Sequence, residues 1–452
     1  MPPPPLCIAF VIRDPLPPLR ADVLTLFGEQ LPRHGIGSTV VGQAGAAAVP
    51  ICGPVEVAVD QVAGTDATSL CRPAGDPIDH PAGAAVPLAG WPAGAIHPVG
   101  RHASALASLL TPICDTLGLW RAWRHGPRID AIQVRDKIAS ALPARLAAAL
   151  LGVPFLYWMS FPIVEGYEVR RDELGRRARG PAWLGHALRA RLSRAVLYRL
   201  VLPAARHVFV QSDAMAAWLA GQGVDRARMS AVPMGVDTAL FDRARVVPSQ
   251  DARLDGRRVI IYLGRIAQSR NSAFLLDVVD RLIPDLPELL LVIAGDAPSP
   301  DEMAWMRRQI GARKLERHVL LTGWLPQAEA LGYAVRAEVG LSPIPRGVLF
   351  DVSSPTKLVE YLALGIPSVA NDIPDQQLVI SQSQAGLIAP MEAAPFSVAV
   401  RALLADPVLR AQCAARGPPW VKAHRSYAML ASEVADTYRR ILPQPQAVVQ
   451  RS

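Results

Sequence analysis

Residues 258–296 read "RVIIYLGRIAQSRNSAFLLDVVDRLIPDLPELLLVIAGD". A strand-like stretch, 258–266, apolar without a break from Val259 to Leu263, is followed by apolar residues at helical spacing over 271–284. A second apolar run follows at 289–296. Strands without polar alternation are buried on both faces, which is the habit of parallel sheets covered by helices. The pattern repeats outward: strand "VLLTGW" (319–324) and helix 327–336, strand "EVGLSPI" (338–344) and helix 355–364, strand "PSVAN" (367–371) and helix 375–382. This alternation predicts an α/β fold.

The first half shows the same elements less regularly. "LCIAFVI" (6–12) reads as a strand and "DVLTLFGEQLPRHG" (22–35) as a helix. Residues 42–100 read as short strands and loops. Further strands are expected at 128–134, 153–159 and 207–212, with helices at 138–151 and 213–222. The polar, aperiodic stretch 242–256 reads as a linker. Two doubly wound, Rossmann-like domains facing a central cleft are predicted. Residues 1–245 would form the first and 250–425 the second, with 426–452 a C-terminal helix crossing back to the first, and a tail.

The bulk figures bound the function. The chain has 452 residues, 51% hydrophobic and 19% charged, which supports large cores. The formal net charge of +8 favours anionic partners. Cys7, Cys52, Cys71, Cys114 and Cys413 show no C-x-x-C pairing, so neither a zinc site nor a disulfide framework is expected. A reducing, cytoplasmic location fits, because the start "MPPPPLCIAFVIRD" lacks a basic segment and a long apolar one. The longest apolar stretch, 138–161, contains Arg145, Pro143, Gly152 and Pro154, and reads as a helix and a buried strand rather than a membrane span. No zinc-finger spacing or aromatic–basic stacking motif points to nucleic acid.

In open parallel sheets ligands sit outside the carboxyl ends of the strands. Arg265, Arg270 and Lys357 all fall there. Ser354 is a good N-cap for helix 355–364, and Pro355 suits its first position. A cation in a first helical turn opposes the helix dipole unless an anion binds. Alone, Lys357 reads equally as a solvated lysine; the three cations together read as a phosphate site. Glu360 lies on the same helix face as Lys357, placed either to hold ribose hydroxyls or to form an ordinary surface pair.

"YLGRIAQSRN", "LLLVIAGDAP", "VLLTGWLP", "AEVGLSPIP" and "SSPTKLVEYLALGIPSVAND", in this order, resemble the family 4 glycosyltransferases of the GT-B fold. "HVFVQSDAMAAWL" and "AVPMGVDTALF" resemble the end of that family's N-terminal domain. The likeness spans about residues 128–440. It implies retaining transfer of a sugar from a nucleotide-sugar, which is a substrate rather than a cofactor, with no metal. By the same resemblance Arg265 and Lys357 carry catalysis, and Arg270 shares the diphosphate clamp. Ser354 belongs to the Ser-Pro-x-Lys variant. Glu360 holds the ribose, and Trp324 and Leu325 lie beside the base. Asp296 ends the preceding strand.

Two positions depart from the family pattern. Val352 stands where the first acid of the Glu, seven residues, Glu motif belongs, with Asp351 adjacent. Ser160 stands where many relatives carry an acceptor-side His. Arg135, Asp136, Ser160 and Glu165 lie at ligand ends of first-domain strands and are candidate acceptor contacts. Each also reads as structural.

The segment 168–206 is rich in arginine, with Trp183, Leu184, Leu188 and Leu192 at helical spacing. It admits two readings: a solvated face packed on the first domain, or a helix on anionic lipid with arginines outside and Trp183 and the leucines inward. The second suits a lipid-linked or growing polysaccharide acceptor and a peripheral position on the inner membrane. The competing functions are a nucleotide-sugar epimerase and a non-catalytic nucleotide-sugar-binding or scaffold subunit.

Overall fold

A computed structural model describes residues 5–16, 20–44, 96–101, 105–177 and 179–443. Most of the stretch read as short strands and loops, 45–95, lies outside the described residues. The chain divides into two compact units. Met234–Met429 forms one; the described residues up to Pro233, joined by those from Leu430, form the other.

The first unit holds a seven-stranded parallel sheet: β1 (Leu6–Val11), β2 (Ile36–Ala44), β3 (Ile96–Arg101), β4 (Ala131–Arg135), β5 (Phe155–Met159), β6 (His207–Val210) and β7 (Met229–Ala231), in the order β3-β2-β1-β4-β5-β6-β7. The order reverses between β1 and β4. Crossovers into β4, β5 and β6 all travel one way across the sheet. Right-handed connection therefore puts their helices on one face and the β1-to-β2 helix on the other. The aromatic rings of Phe10, Phe27, Trp158, Phe209 and Tyr438 pack in a row with centroids 4.4 to 5.2 Å apart. Tyr438 lies on the last helix, Tyr427–Ile441, and its hydroxyl donates to Gln133 Oε1 of β4 at 2.7 Å. This stacking places the end of the described chain in the first unit.

The second unit holds a six-stranded parallel sheet: β8 (Arg258–Leu263), β9 (Leu289–Ala294), β10 (Val319–Gly323), β11 (Val339–Ser342), β12 (Ser368–Ala370) and β13 (Gly386–Ile388), in the order β10-β9-β8-β11-β12-β13. Side chains alternate between two cores. Ile260, Tyr262, Leu291 and Ile293 enter one; Val259, Ile261, Leu290 and Val292 enter the other. Both faces are buried, which is why these strands carry no polar alternation. The stretch 242–256 contributes buried Leu254 to the second core, and Arg243 donates to the carbonyls of Val335 and Leu364.

Candidate functional site

The second sheet reverses its order between β8 and β11, so the carboxyl end of β8 borders the crevice where such sheets bind ligands. β8 and β9 are each followed directly by a glycine. Gly264 has φ +147° and Gly295 has φ +153°, and a Cβ on Gly295 would lie 2.1 Å from the Gly264 carbonyl oxygen. The close backbone excludes a side chain at Gly295, and the positive φ disfavours one at Gly264. The strand ends are thereby left clear for the cations around them.

Lys357 reaches them from a helix far along the chain, Thr356–Ala363. Its Cε lies 3.5 Å from the place of a Gly264 Cβ. Its ammonium sits 4.4 Å from the Tyr262 ring centroid and donates to the Tyr262 hydroxyl at 3.3 Å. The side chain is buried at 8% exposure, not extended into solvent. Its position follows from the next helical turn: the Leu263 N–H donates to the Tyr361 hydroxyl at 2.6 Å, and the Tyr361 ring occupies the space that a side chain at Gly340 would take. Residues four apart share a helix face, so anchoring Tyr361 against β8 brings Lys357 to its end.

The expected N-cap is corrected. The helix is Thr356–Ala363 with Pro355 as its N-cap residue and no side-chain cap bond. Ser354 is instead buried in a polar knot: its hydroxyl donates to Asp375 Oδ2 at 2.8 Å and accepts from the Met234 N–H at 3.0 Å and from Arg425 Nη1 at 3.3 Å. Arg425 also pairs with Asp375 at 2.7 Å. The hydroxyl anchors the approach to the helix, and the first-turn N–H groups of Thr356–Ala363 receive no bond from it.

Arg265 follows Gly264, and Arg270 ends a 3-10 turn, Gln268–Arg270. Among the described residues neither makes an ion pair. Burial, and then the neighbouring charge of Arg270, push the Arg265 guanidinium below its ordinary pKa. Glu360 is half-buried one turn beyond Lys357. Burial pushes its carboxyl up to about 7 against the pull of Lys357.

The other candidates lie on neighbouring strand ends. Trp324, 48% exposed, and half-buried Leu325 follow β10, two strands from Arg265. Exposed Asp296 follows β9 and accepts from the Ala297 N–H at 2.8 Å. Asp351 pairs at 2.8 Å with Arg346, which also holds Asp372 at 2.9 Å, while Val352 is buried. Sequence reasoning missed Arg346, Tyr262 and Tyr361. The aromatic residue before Gly264-Arg265 was visible, but its neighbour Lys357 is far along the chain.

The first unit gathers Arg135, Asp136 and Ser160 at the ends of β4 and β5. Asp136 holds φ +52° and accepts from both the N–H and the hydroxyl of Ser160. Burial raises its carboxyl above the ordinary range. Arg135 is fully buried and pairs with Asp22, and its Nε lies 3.7 Å from Asp136 Oδ2; among the described residues Nε and Nη1 make no hydrogen bond. Burial would raise the Asp22 carboxyl, but Arg135 and Arg20 together hold it at about 2. Glu165 stands apart from this group, accepting from Arg194 at 2.9 Å and Tyr198 at 3.1 Å. Among the described residues no cluster of His, Cys, Asp and Glu is placed to hold a metal ion, and no helix is long and apolar enough to cross a membrane.

Two doubly wound parallel units, the second with cations at its switch point, define the GT-B class. Sucrose-phosphate synthase from Thermosynechococcus elongatus shares the fold with a TM-score of 0.65 at 16% identity, covering 96% of this chain and 99% of that one. The model described as "Glycosyl transferases group 1" matches residues 257–406, and the "Glycosyl transferase 4-like domain" model matches residues 28–235. The chain belongs to the family 4 glycosyltransferases. It is 28% identical over 190 residues to an alpha-D-kanosaminyltransferase of Streptomyces kanamyceticus, covering 42% of this chain and 47% of that one. It is 27% identical over 220 residues to a phosphatidyl-myo-inositol mannosyltransferase of Mycobacterium tuberculosis, covering 46% and 53%. The chain spans about half the length of the curated relatives it matches.

Proposed function

We propose that the protein transfers a sugar, with retention of configuration, from a nucleotide-sugar to a lipid-linked or growing glycan acceptor. The observation that carries this reading is the convergence of Arg265, Arg270 and Lys357 around glycine-cleared strand ends. In this reading Arg265, Arg270 and Lys357 hold the diphosphate and no metal takes part. Glu360 accepts from the ribose hydroxyls. Trp324 and Leu325, two strand spacings or about 10 Å away, flank the base, with Asp296 between. Asp351, restrained by Arg346, faces the donor sugar in place of the acid that Val352 lacks.

In the transfer the bond from the anomeric carbon to the diphosphate oxygen breaks. The acceptor oxygen bonds to the same face of that carbon, and its proton passes to the leaving phosphate. Arg265 and Lys357 stabilise the charge that develops on that phosphate, and binding both substrates supplies orientation. Asp136 and Ser160 are assigned to the acceptor side. Similarity to the mycobacterial phosphatidyl-myo-inositol mannosyltransferase supports a lipid acceptor. An anionic membrane surface contacted through 168–206, on the cytoplasmic face of the inner membrane, completes the reading.

The test is calorimetric titration with a panel of nucleoside diphosphates, without added metal, for the wild type and Arg265→Ala. One base bound at micromolar affinity, and weakened about tenfold or more in the variant, is expected, since a charged contact contributes about 1.5–3 kcal/mol. Binding unchanged by Arg265→Ala overturns the diphosphate role. Binding without turnover on any lipid or glycan acceptor would favour the non-catalytic subunit, the reading to which buried Val352 lends weight.

A further inference from the structure

Three helices of the first unit lie side by side on one face of its sheet. Ile138–Leu151 packs between Ala105–His125 and Pro181–Val196. Each turns large apolar side chains outward. Leu142, Leu146 and Leu150, at 37, 61 and 79% exposure, recur every fourth residue on the middle helix. Leu184, Leu188 and Leu192 do the same on one flank at 62, 57 and 56%. Ile113, Leu117, Trp120 and Trp123 line the other flank at 47 to 58%. An apolar surface three helices wide is far beyond the scattered exposed leucines of an ordinary surface. It also corrects the expectation for Leu184, Leu188 and Leu192: they do not pack inward.

The charges on this face have one sign. Asp115 is the sole acid among the described side chains of the three helices, and it is buried against Lys137 at 2.8 Å. Arg121, Arg124 and Arg191 are exposed and, among the described residues, have no carboxylate partner. The Arg124 guanidinium lies 5.4 Å from the Trp120 ring centroid. The preceding helix, Ile163–Arg177, differs: Arg170 pairs with Glu173, Arg171 with Asp172, and Glu165 and Glu168 are held by Arg194. Its charges are paired among the described side chains, and Val169 is the one exposed large apolar residue among them.

We infer that this three-helix face, rather than the arginine-rich segment as a whole, rests on an anionic lipid bilayer, with the leucines in the acyl boundary and the arginines at headgroup level. The inference deepens the membrane-surface reading above and does not depend on the donor-site reading. A second copy of the chain is the poorer occupant, because it would set arginine against arginine with no acid between them. Tryptophan beside arginine at the rim of a leucine surface is the composition of helices lying in an interface.

The test is flotation of the full chain with phosphatidylcholine vesicles, with and without phosphatidylglycerol. The wild type is expected to float with the anionic vesicles. The combined Leu146→Ser, Leu150→Ser, Leu188→Ser variant is expected to partition about tenfold or more weakly. Arg121→Gln with Arg124→Gln is expected to lose the preference for anionic vesicles. Trp120 emission, assigned with Trp120→Phe, is expected to shift to the blue on binding. No flotation, flotation undiminished by the serine variant, or a dimer in size-exclusion chromatography that the serine variant abolishes would each overturn the proposal. Nucleoside-diphosphate titration of the same variants reads the donor site separately, since none of these residues belongs to it.

Discussion

The ammonium of Lys357 lies over the face of Tyr262, 4.4 Å from its centroid and 3.3 Å from its hydroxyl. The ring sits beneath a cation that has no carboxylate partner among the described residues. That cation is held partly by the aromatic face and remains available to an anion.

The ring, more than the hydroxyl, is therefore expected to matter. Tyr262→Phe keeps the face and should leave nucleoside-diphosphate affinity within about threefold. Tyr262→Leu removes it and should weaken binding about tenfold, in line with a cation–π contribution of roughly 0.5–2 kcal/mol. Calorimetry on the two variants checks the order. Equal losses would assign the effect to the hydroxyl.

Glu360 makes stability depend on pH. Its folded carboxyl titrates near 7, above the ordinary value of 4.5. The folded state therefore holds the proton more tightly. The associated stability is fully present below about pH 4.5 and is lost as pH rises through about 7. Glu360→Gln should flatten this part of the pH profile, by about 1–2 kcal/mol between about pH 5 and 8. Thermal melts of both proteins across that range measure it. If ribose hydroxyls donate to the charged form, nucleotide-sugar affinity should rise over the same interval in the wild type and not in the variant.

Gly295 is expected to tolerate no substitution. A Cβ there meets the Gly264 carbonyl oxygen, and φ is +153°. Gly295→Ala should lower stability by about 2–4 kcal/mol and lose diphosphate binding. Denaturant unfolding checks the first and titration the second. Gly311→Ala, on a helix and in ordinary contact only with a Glu316 side-chain oxygen, is the control.

Ser354 should act as a strut. Ser354→Ala removes one partner from a buried knot of Asp375, Arg425 and the Met234 N–H, which should lower stability by about 1–3 kcal/mol. Diphosphate affinity should change less than threefold where the knot holds. A tenfold loss of affinity with an unchanged melting temperature would make the hydroxyl a direct ligand contact.

Apolar runs at β8, β9 and β11 announced a parallel sheet because burial on both faces admits no polar alternation. The β10 and β12 segments were legible for the same reason. Arg265, Arg270, Lys357 and Glu360 were legible as a group because doubly wound sheets present their strand ends and helix starts to one edge. The cap at Ser354 was misread: a Ser-Pro pair has the right chemistry for a helix start, but the hydroxyl was claimed by Asp375, remote in sequence.

The order of residues alone determined the fold class, the longer apolar strands, and which cations stand at ligand ends, since these follow from local periodicity and parallel-sheet topology; the three-residue strands β7 and β13 are too short to show a period. Tertiary structure decided the rest. It turned Lys357 onto Tyr262, brought the Gly264 carbonyl too close to Gly295 for a side chain there, locked Asp351 to Arg346, and left the leucines of three separate helices on one outer face. Each depends on groups distant in the chain meeting at a few ångströms, and periodicity within a segment carries no record of what the opposite face will meet.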